Sequence, residues 1–182
     1  MSTIFLLGFM GSGKSAVARA LSRQLDLPFV DLDARIEGQI GTSIASFFAS
    51  HGENAFRDEE TRVLEEVCGQ NAVVSLGGGV PTREKNREML REAARTGALV
   101  VYLKAHSETL AQRIRRQPGK RPLIDGQGAL SLEDTVARVE ELLAAREGFY
   151  RDCASFEVET DDLSISAIAD IIARRWHEER CD

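Results

Sequence analysis

Short apolar runs of strand length alternate along the chain with longer stretches in which apolar residues recur at helical spacing. This pattern is typical of βα units that close a parallel sheet. We therefore expect an α/β fold of three layers, built around a five-stranded parallel sheet. The predicted strands are residues 3–7, 28–30, 72–76, 98–103 and, more weakly, 156–159.

The helical stretches carry readable start signals. Thr82, Ser107 and Ser131 each have a side chain that can accept a hydrogen bond from the first unpaired amides of a helix, and they are the predicted N-caps. The predicted helices are residues 14–25, 53–68, 82–95, 107–116, 132–147 and 164–175.

Two segments depart from the simple alternation of strand and helix. From Asp33 to Cys68 the chain runs through two or three helical stretches before the next strand, which predicts an inserted helical region over about residues 33–61 that holds a substrate. Residues 117–128, QPGKRPLIDGQG, combine Pro and Gly with few packing residues. They predict a mobile lid over about residues 116–128.

Composition favours one globular domain, residues 1–182. Hydrophobic residues make up 43% of the chain, and the longest apolar run, 98–103, falls well short of the roughly 18–20 residues that a membrane helix needs. The net charge of −6 and the absence of a basic block argue against a nucleic-acid partner. We expect a monomer that acts on a small molecule and contacts no membrane.

The N-terminus and the cysteines predict a cytoplasmic location. Residues 1–8 lack the basic start and the small-residue cleavage site of a signal peptide. Cys68, Cys153 and Cys181 are odd in number and widely spaced, which favours neither a disulfide framework nor a CxxC metal site.

Residues 8–15, GFMGSGKS, fit the phosphate-loop pattern G-x-x-x-x-G-K-[ST] between a predicted strand and a predicted helix. Glycines allow successive N–H groups to turn toward phosphates, and the helix N-terminus adds partial positive charge. Lys14 supplies a cation for the β- and γ-phosphates, and the Ser15 hydroxyl can ligate Mg²⁺. A strand-to-helix connection that is rich in glycine for packing reasons alone would explain neither Lys14 nor Ser15.

Two acids follow the second predicted strand, at the sheet edge where open α/β sheets bind ligands. Asp31 is the best candidate on the metal side, because the third and fourth predicted strands finish in Ser75-Leu76 and Leu103-Lys104. Asp33 lies one step outward, where it can orient a substrate hydroxyl or take its proton. The alternative is that one of them only caps the helix that begins near Ala34.

Glycines and arginines add candidates that are weaker one by one. Residues 77–79 are three glycines at another strand end, where a tight turn is the alternative explanation. Arg57 stands beside three acids and by itself favours a solvated ion pair. Arg121 lies in the predicted lid, where it either reaches a transferred phosphoryl group or is simply an exposed charge. Arg146 and Arg151 lie near the end of a predicted helix, where the helix dipole alone favours a cation.

Together these motifs resemble the shikimate kinase family, small P-loop kinases of the nucleoside monophosphate kinase fold. The resemblance covers nearly the whole chain, in order: residues 8–15, Asp31-Leu32-Asp33, Phe56-Arg57, Gly77-Gly78-Gly79, Arg121-Pro122-Leu123, and Arg146 followed by Tyr150. It implies phosphorylation of the 3-hydroxyl of shikimate by ATP in aromatic amino-acid biosynthesis.

The resemblance also implies a role for each matched residue. Catalysis falls to Lys14, Asp33 and Arg121, and Mg²⁺ to Ser15 and Asp31. ATP binds at Gly11, Ser12, Gly13, Lys14, Ser15, Ala16 and Arg121. Shikimate binds at Asp33, Arg57, Gly78, Gly79 and Arg146, with Arg57 and Arg146 pairing with its carboxylate.

The chain departs from the family in two places. The family pattern R-x-P-L-Y reads Arg146-Glu147-Gly148-Phe149-Tyr150 here, without the proline. Family members also have an arginine before the lid that stacks on adenine. Arg113, Arg115 and Arg116 compete for that role, and the choice between Arg115 and Arg116 stays open.

Two other functions remain as alternatives. One is a kinase of the same fold that acts on gluconate or a nucleoside monophosphate. The other is a nucleotide-binding regulatory protein without catalytic activity.

Overall fold

The computed structural model describes residues 3–116 and 131–180. In these residues five parallel strands form one sheet in the order β2-β3-β1-β4-β5. The strands are β1 (Ile4–Leu7), β2 (Phe29–Asp31), β3 (Val73–Ser75), β4 (Leu99–Lys104) and β5 (Phe156–Glu159). The predicted α/β fold is confirmed, and each strand begins within one residue of its predicted start.

The sheet lies between helices that cover both of its faces. In chain order the helices are α1 (Lys14–Leu25), α2 (Leu32–Ile40), α3 (Ile44–Val67), α4 (Glu84–Arg95), α5 (Ser107–Arg115), α6 (Leu132–Ala144), α7 (Glu147–Cys153) and α8 (Ile165–Glu178), with a 3₁₀ turn at Val80–Thr82 before α4. No helix within residues 3–116 and 131–180 is both long enough and apolar enough to span a bilayer.

Alternate residues of the central strand β1 supply two separate cores. Phe5 and Leu7 pack in one core with α3 and α4, whereas Ile4 and Leu6 pack in the other with α1 and α8. All four side chains are fully buried. A strand buried on both faces needs apolar residues at every position, which explains why the strands read as continuous apolar runs.

Helix boundaries differ most from the predictions in α3 and around Arg146. Gly52 has the non-helical angles φ 81° and ψ 173° inside α3, so the predicted helix 53–68 corresponds to the part of α3 after this kink. The predicted helix 132–147 is confirmed as α6, but α6 ends at Ala144. The chain leaves helical geometry at Arg146, with φ −121°, before α7, which was not predicted.

Of the three predicted N-caps, only Ser131 is confirmed: its side chain accepts a hydrogen bond from the amide of Asp134 at 3.0 Å. The prediction is wrong for Thr82 and Ser107, because Arg83 and His106 hold the N-cap positions without a side-chain cap. The Thr82 hydroxyl instead donates to the Gly79 carbonyl at 2.6 Å, inside the turn that precedes α4.

Candidate active site

The predicted phosphate loop connects β1 to α1 and borders a cavity of about 620 Å³. Gly11 and Gly13 have φ values of 83° and 93°, in the left-handed region that glycine tolerates best. Gly11, Gly13, Lys14, Ser15 and Ala16 all line the cavity. The amides of the first turn of α1 are therefore placed beside it, as a phosphate site requires.

The side chains of Lys14 and Ser12 in the phosphate loop differ in their access to the cavity. The Lys14 ammonium donates to the carbonyl oxygens of Gly8 and Phe9, both at 2.9 Å, which holds the cation against the loop at the cavity wall. The Ser12 side chain is buried beneath the loop, where its hydroxyl has no hydrogen-bond partner among the described residues. Ser12 thus faces away from the cavity and can serve a nucleotide only through its backbone.

Three side chains with oxygen atoms that can ligate a metal ion meet where α1, β2 and β3 come together. The Ser15 hydroxyl donates to Asp31 Oδ2 at 2.9 Å and lies 3.1 Å from the hydroxyl of Ser75. Asp31 also caps α2, because its Oδ1 accepts from the amide of Ala34 at 3.3 Å. The capping and metal-side interpretations of Asp31 are therefore compatible.

Hydroxyl and carboxylate oxygens are ligands that Mg²⁺ accepts, so this set fits the ion when phosphate oxygens and water complete its shell. In the described part of the chain, no three His, Cys, Asp or Glu side chains form a metal cluster on their own. Ser75 was not among the site residues predicted from the sequence. Its position at the end of β3, on the same sheet edge as Asp31, was the available signal.

Asp33 and Glu60 approach the same glycine. A Cβ atom at Gly77 would lie 2.7 Å from Asp33 Oδ1 and 3.2 Å from Glu60 Oε1, so the space beside Gly77 is taken by carboxylates. Asp33 lines the cavity and is exposed to solvent there. Its pKa is nevertheless raised, because the surrounding protein removes part of the water around the carboxylate and because the negative charge of Asp31 is close. Burial also raises the pKa of Glu60 to about 7, against the opposing influence of Arg57.

Arg57 packs against Gly79 and pairs with Glu60. Its Nη1 lies 2.9 Å from Glu60 Oε2, and the two side chains are only 11% and 2% exposed. A Cβ atom at Gly79 would lie 2.6 Å from Arg57 Nη2, which explains why the position is a glycine. The solvated ion pair favoured for Arg57 alone is wrong. Glu60 was missed, although a spacing of three residues places it on the same helix face.

Residues 77–82, which we call the glycine turn, are held by hydrogen bonds along their whole length. Each carbonyl from Gly77 to Thr82 accepts a hydrogen bond from a described residue. The three glycine carbonyls accept from Val80 N, from Tyr150 Oη, and from Thr82 N and Oγ1, respectively. The Val80 carbonyl accepts from Asn86 Nδ2, and the carbonyls of Pro81 and Thr82 both accept from Arg87 Nη1. The fully buried Asn86 also accepts from Thr61 Oγ1 at 2.8 Å, which links the turn to α3.

Arg146 reaches the same region from α7. It occupies the N-cap position of this helix, and its guanidinium lies near the hydroxyl of Tyr150, whose pKa it lowers against the effect of burial. The neighbouring candidate Arg151 pairs with Glu147 at 2.9 Å and is half exposed. The structure therefore brings Arg146, but not Arg151, to the glycine turn.

Arginines also border the nucleotide side. Arg113 and Arg116 line the cavity, and Arg113 Nη2 donates to the Thr160 carbonyl at 2.8 Å. Of the two residues left open for adenine stacking, Arg116 is the one at the cavity wall. Arg121 and the predicted lid, apart from residue 116, lie outside the described residues.

Phosphates held by the loop would lie beside Asp33, because both border one cavity. Phosphoryl transfer asks a protein mainly for such positioning and for positive charge around the phosphates. The fold and this arrangement define the class of P-loop kinases that act on small molecules.

Comparison with known proteins identifies the family within that class. The family model for shikimate kinase matches residues 10–176. The shikimate kinase of Chlorobium chlorochromatii is 43% identical over 177 residues, covering 96% of this chain and 90% of the relative, and that of Ralstonia nicotianae is 38% identical over 94% and 85%. The solved shikimate kinase from Acinetobacter baumannii in complex with shikimate superimposes with a TM-score of 0.88 at 32% identity, covering 100% of this chain and 96% of that one. The chain belongs to the shikimate kinase family.

Proposed function

We propose that the protein transfers the γ-phosphoryl group of ATP to the 3-hydroxyl of shikimate, a step in the biosynthesis of chorismate and the aromatic amino acids. One observation carries the proposal: Asp33 borders the phosphate cavity, while Arg57 lies against the glycine turn next to it. An acceptor with a hydroxyl and a carboxylate suits an acid and a guanidinium side by side.

ATP occupies the cavity bordered by the phosphate loop in this proposal. Backbone amides of Gly11, Ser12, Gly13 and Ala16 bind its phosphates, and Lys14 leaves its carbonyl partners to neutralise the transferred group. Arg121 adds a second positive charge from the lid. These assignments rest on the cavity wall for Gly11, Gly13, Lys14 and Ala16, and on the family motif for Ser12 and Arg121.

Mg²⁺ belongs with ATP at the oxygen donors of Ser15 and Asp31, whose hydroxyl and carboxylate lie 2.9 Å apart. When bound, the ion neutralises phosphate charge as it builds up during transfer. Ser75 completes the protein side of this set through its hydroxyl, 3.1 Å from that of Ser15.

The acceptor binds in the helical region of about residues 33–61 together with the glycine turn and α7. Asp33 accepts a hydrogen bond from the 3-hydroxyl and orients it toward the γ-phosphate. Its raised pKa suits a group that takes the proton as the new bond forms. Arg57 and Arg146 bind the carboxylate, and the backbone of Gly78 and Gly79 closes the site.

We also propose that the enzyme is a cytoplasmic monomer that needs neither nucleic acid nor a membrane. The two described cysteines, Cys68 and Cys153, are free thiols, as expected in a reducing compartment.

An ADP-release assay tests the activity directly. We expect release that depends on shikimate at millimolar concentration, and background release with gluconate or a nucleoside monophosphate as acceptor. Equal rates with and without shikimate would refute the proposal, while turnover of another acceptor would transfer the chain to a different kinase activity. Nucleotide binding without turnover of any acceptor would favour a regulatory protein.

A further inference from the structure

Tyr150 connects two parts of the acceptor site that belong to different elements. Its hydroxyl donates a hydrogen bond to the Gly78 carbonyl at 2.7 Å, and the Arg146 guanidinium lies near the same hydroxyl and lowers its pKa against the effect of burial. The side chain is 1% exposed, so the hydroxyl is shielded from bulk water. One hydroxyl thus joins α7 to the glycine turn.

The hydroxyl can serve both neighbours at once. A phenol has one proton to donate and lone pairs that accept, so it can donate to the Gly78 carbonyl and also accept from a guanidinium. Burial raises the pKa of Tyr150 to about 12, which keeps this proton in place throughout the working pH range.

The bond to Gly78 also sets the direction of the next amide. Because a peptide group is planar and trans, fixing the carbonyl of Gly78 makes the N–H of Gly79 point the opposite way. Among the described residues this N–H has no hydrogen-bond acceptor. In the proposed function this N–H donates to an oxygen atom of the bound acceptor.

We propose that Tyr150 is a positioning residue for the acceptor: its hydroxyl sets the spacing between the Arg146 guanidinium and the Gly79 amide. The inference rests on the proposed function, since those two groups are assigned to shikimate. Tyr150 does not line the cavity beside the phosphate loop, so we expect its effect to fall on binding of the acceptor.

The same chain offers a matched control. Tyr102 on β4 is also 1% exposed, and its ring centroid lies 5.2 Å from that of Tyr150. Within the described residues its hydroxyl makes no hydrogen bond to the glycine turn. Tyr102→Phe therefore removes a buried hydroxyl from the same packed ring pair without cutting the link to Gly78.

The test compares wild type, Tyr150→Phe and Tyr102→Phe by steady-state kinetics, with the shikimate Kd from calorimetry. A neutral hydrogen bond contributes about 0.5–1.5 kcal/mol, which is roughly a 2- to 12-fold change. We expect the KM and Kd for shikimate to rise roughly 3- to 10-fold in Tyr150→Phe. The KM for ATP and kcat should stay within about twofold, and all three constants should stay within about twofold in Tyr102→Phe.

A double-mutant cycle examines the link to Arg146. If the tyrosine acts through that arginine, Tyr150→Phe in an Arg146→Lys background should raise the KM by clearly less than it does alone. An unchanged KM in Tyr150→Phe would overturn the inference. So would equal changes in the KM for ATP, or the same loss in Tyr102→Phe. If wild type fails to turn over shikimate, the proposed function falls, and calorimetry with shikimate still reports whether Tyr150 affects binding.

Discussion

Gly79→Ala tests the close contact between the glycine turn and Arg57. At φ −97° and ψ −10° the residue has a conformation that alanine adopts readily, so the substitution brings no backbone strain. The new Cβ would lie 2.6 Å from Arg57 Nη2 and 2.8 Å from Cζ. Ordinary contacts are near 3.4–4 Å, and the guanidinium must therefore move by roughly 1 Å.

Such a shift separates Arg57 from the position that the acceptor carboxylate needs. A hydrogen bond to a charged group contributes about 1.5–3 kcal/mol, so we expect the KM for shikimate to rise roughly 10- to 100-fold. The KM for ATP should not change. Because Arg57 also pairs with the buried Glu60, the shift should lower stability modestly, offset in part by the about 0.4–1 kcal/mol with which alanine stabilises a compatible glycine position through the unfolded state.

ADP release measured over a range of both substrates, with a thermal melt of each variant, decides the matter. Gly69→Ala is the matched control, since a Cβ there meets no atom within 4 Å. A wild-type KM for shikimate in Gly79→Ala would refute the placement of Arg57 at the acceptor. A large drop in Tm would show that the contact supports the fold instead of the ligand.

Three further predictions follow from the same geometry. Lys14→Ala should lower kcat by about 10²–10³, with Tm unchanged, and a kcat within threefold of wild type in the ADP-release assay would contradict it. Ser15→Ala should raise the Mg²⁺ concentration for half-maximal rate roughly 10- to 100-fold at saturating ATP; an unchanged Mg²⁺ titration would remove Ser15 from the metal site. Because its pKa is raised to about 7, Glu60 is protonated more readily in the folded than in the unfolded chain, so its contribution to stability is complete below about pH 4.5 and is lost as pH rises through about 7. Denaturant melts should show Glu60→Gln gaining on wild type, by about 3 kcal/mol at most, between pH 5 and 8, whereas a constant difference would contradict the raised pKa.

The strands and the phosphate loop were predictable because their requirements are local. A strand buried on both faces must be apolar throughout, as Ile4–Leu7 is, and phosphate binding needs glycine, lysine and serine at fixed spacing. The break between α6 and α7 was missed for the opposite reason. Helical spacing of apolar residues continues across Arg146, whereas the break there depends on the folded chain, which places this residue near the hydroxyl of Tyr150.

The remaining site residues depend on neighbours that are distant in sequence. Tyr150 and Gly78 are 72 positions apart, and Thr61 and Asn86 are 25 apart. Glu60 is an ordinary helix acid until burial and Arg57 give it a role. In each case the residue type is common, and only the packing of α3, α7 and the glycine turn makes it specific.

The most direct test of the account is a crystal structure of the protein with ADP and shikimate bound together. We predict that the guanidinium groups of Arg57 and Arg146 both lie within hydrogen-bond distance of the shikimate carboxylate, with Asp33 next to the 3-hydroxyl. A complex in which either arginine faces bulk solvent, or in which shikimate binds away from Asp33, would contradict the account.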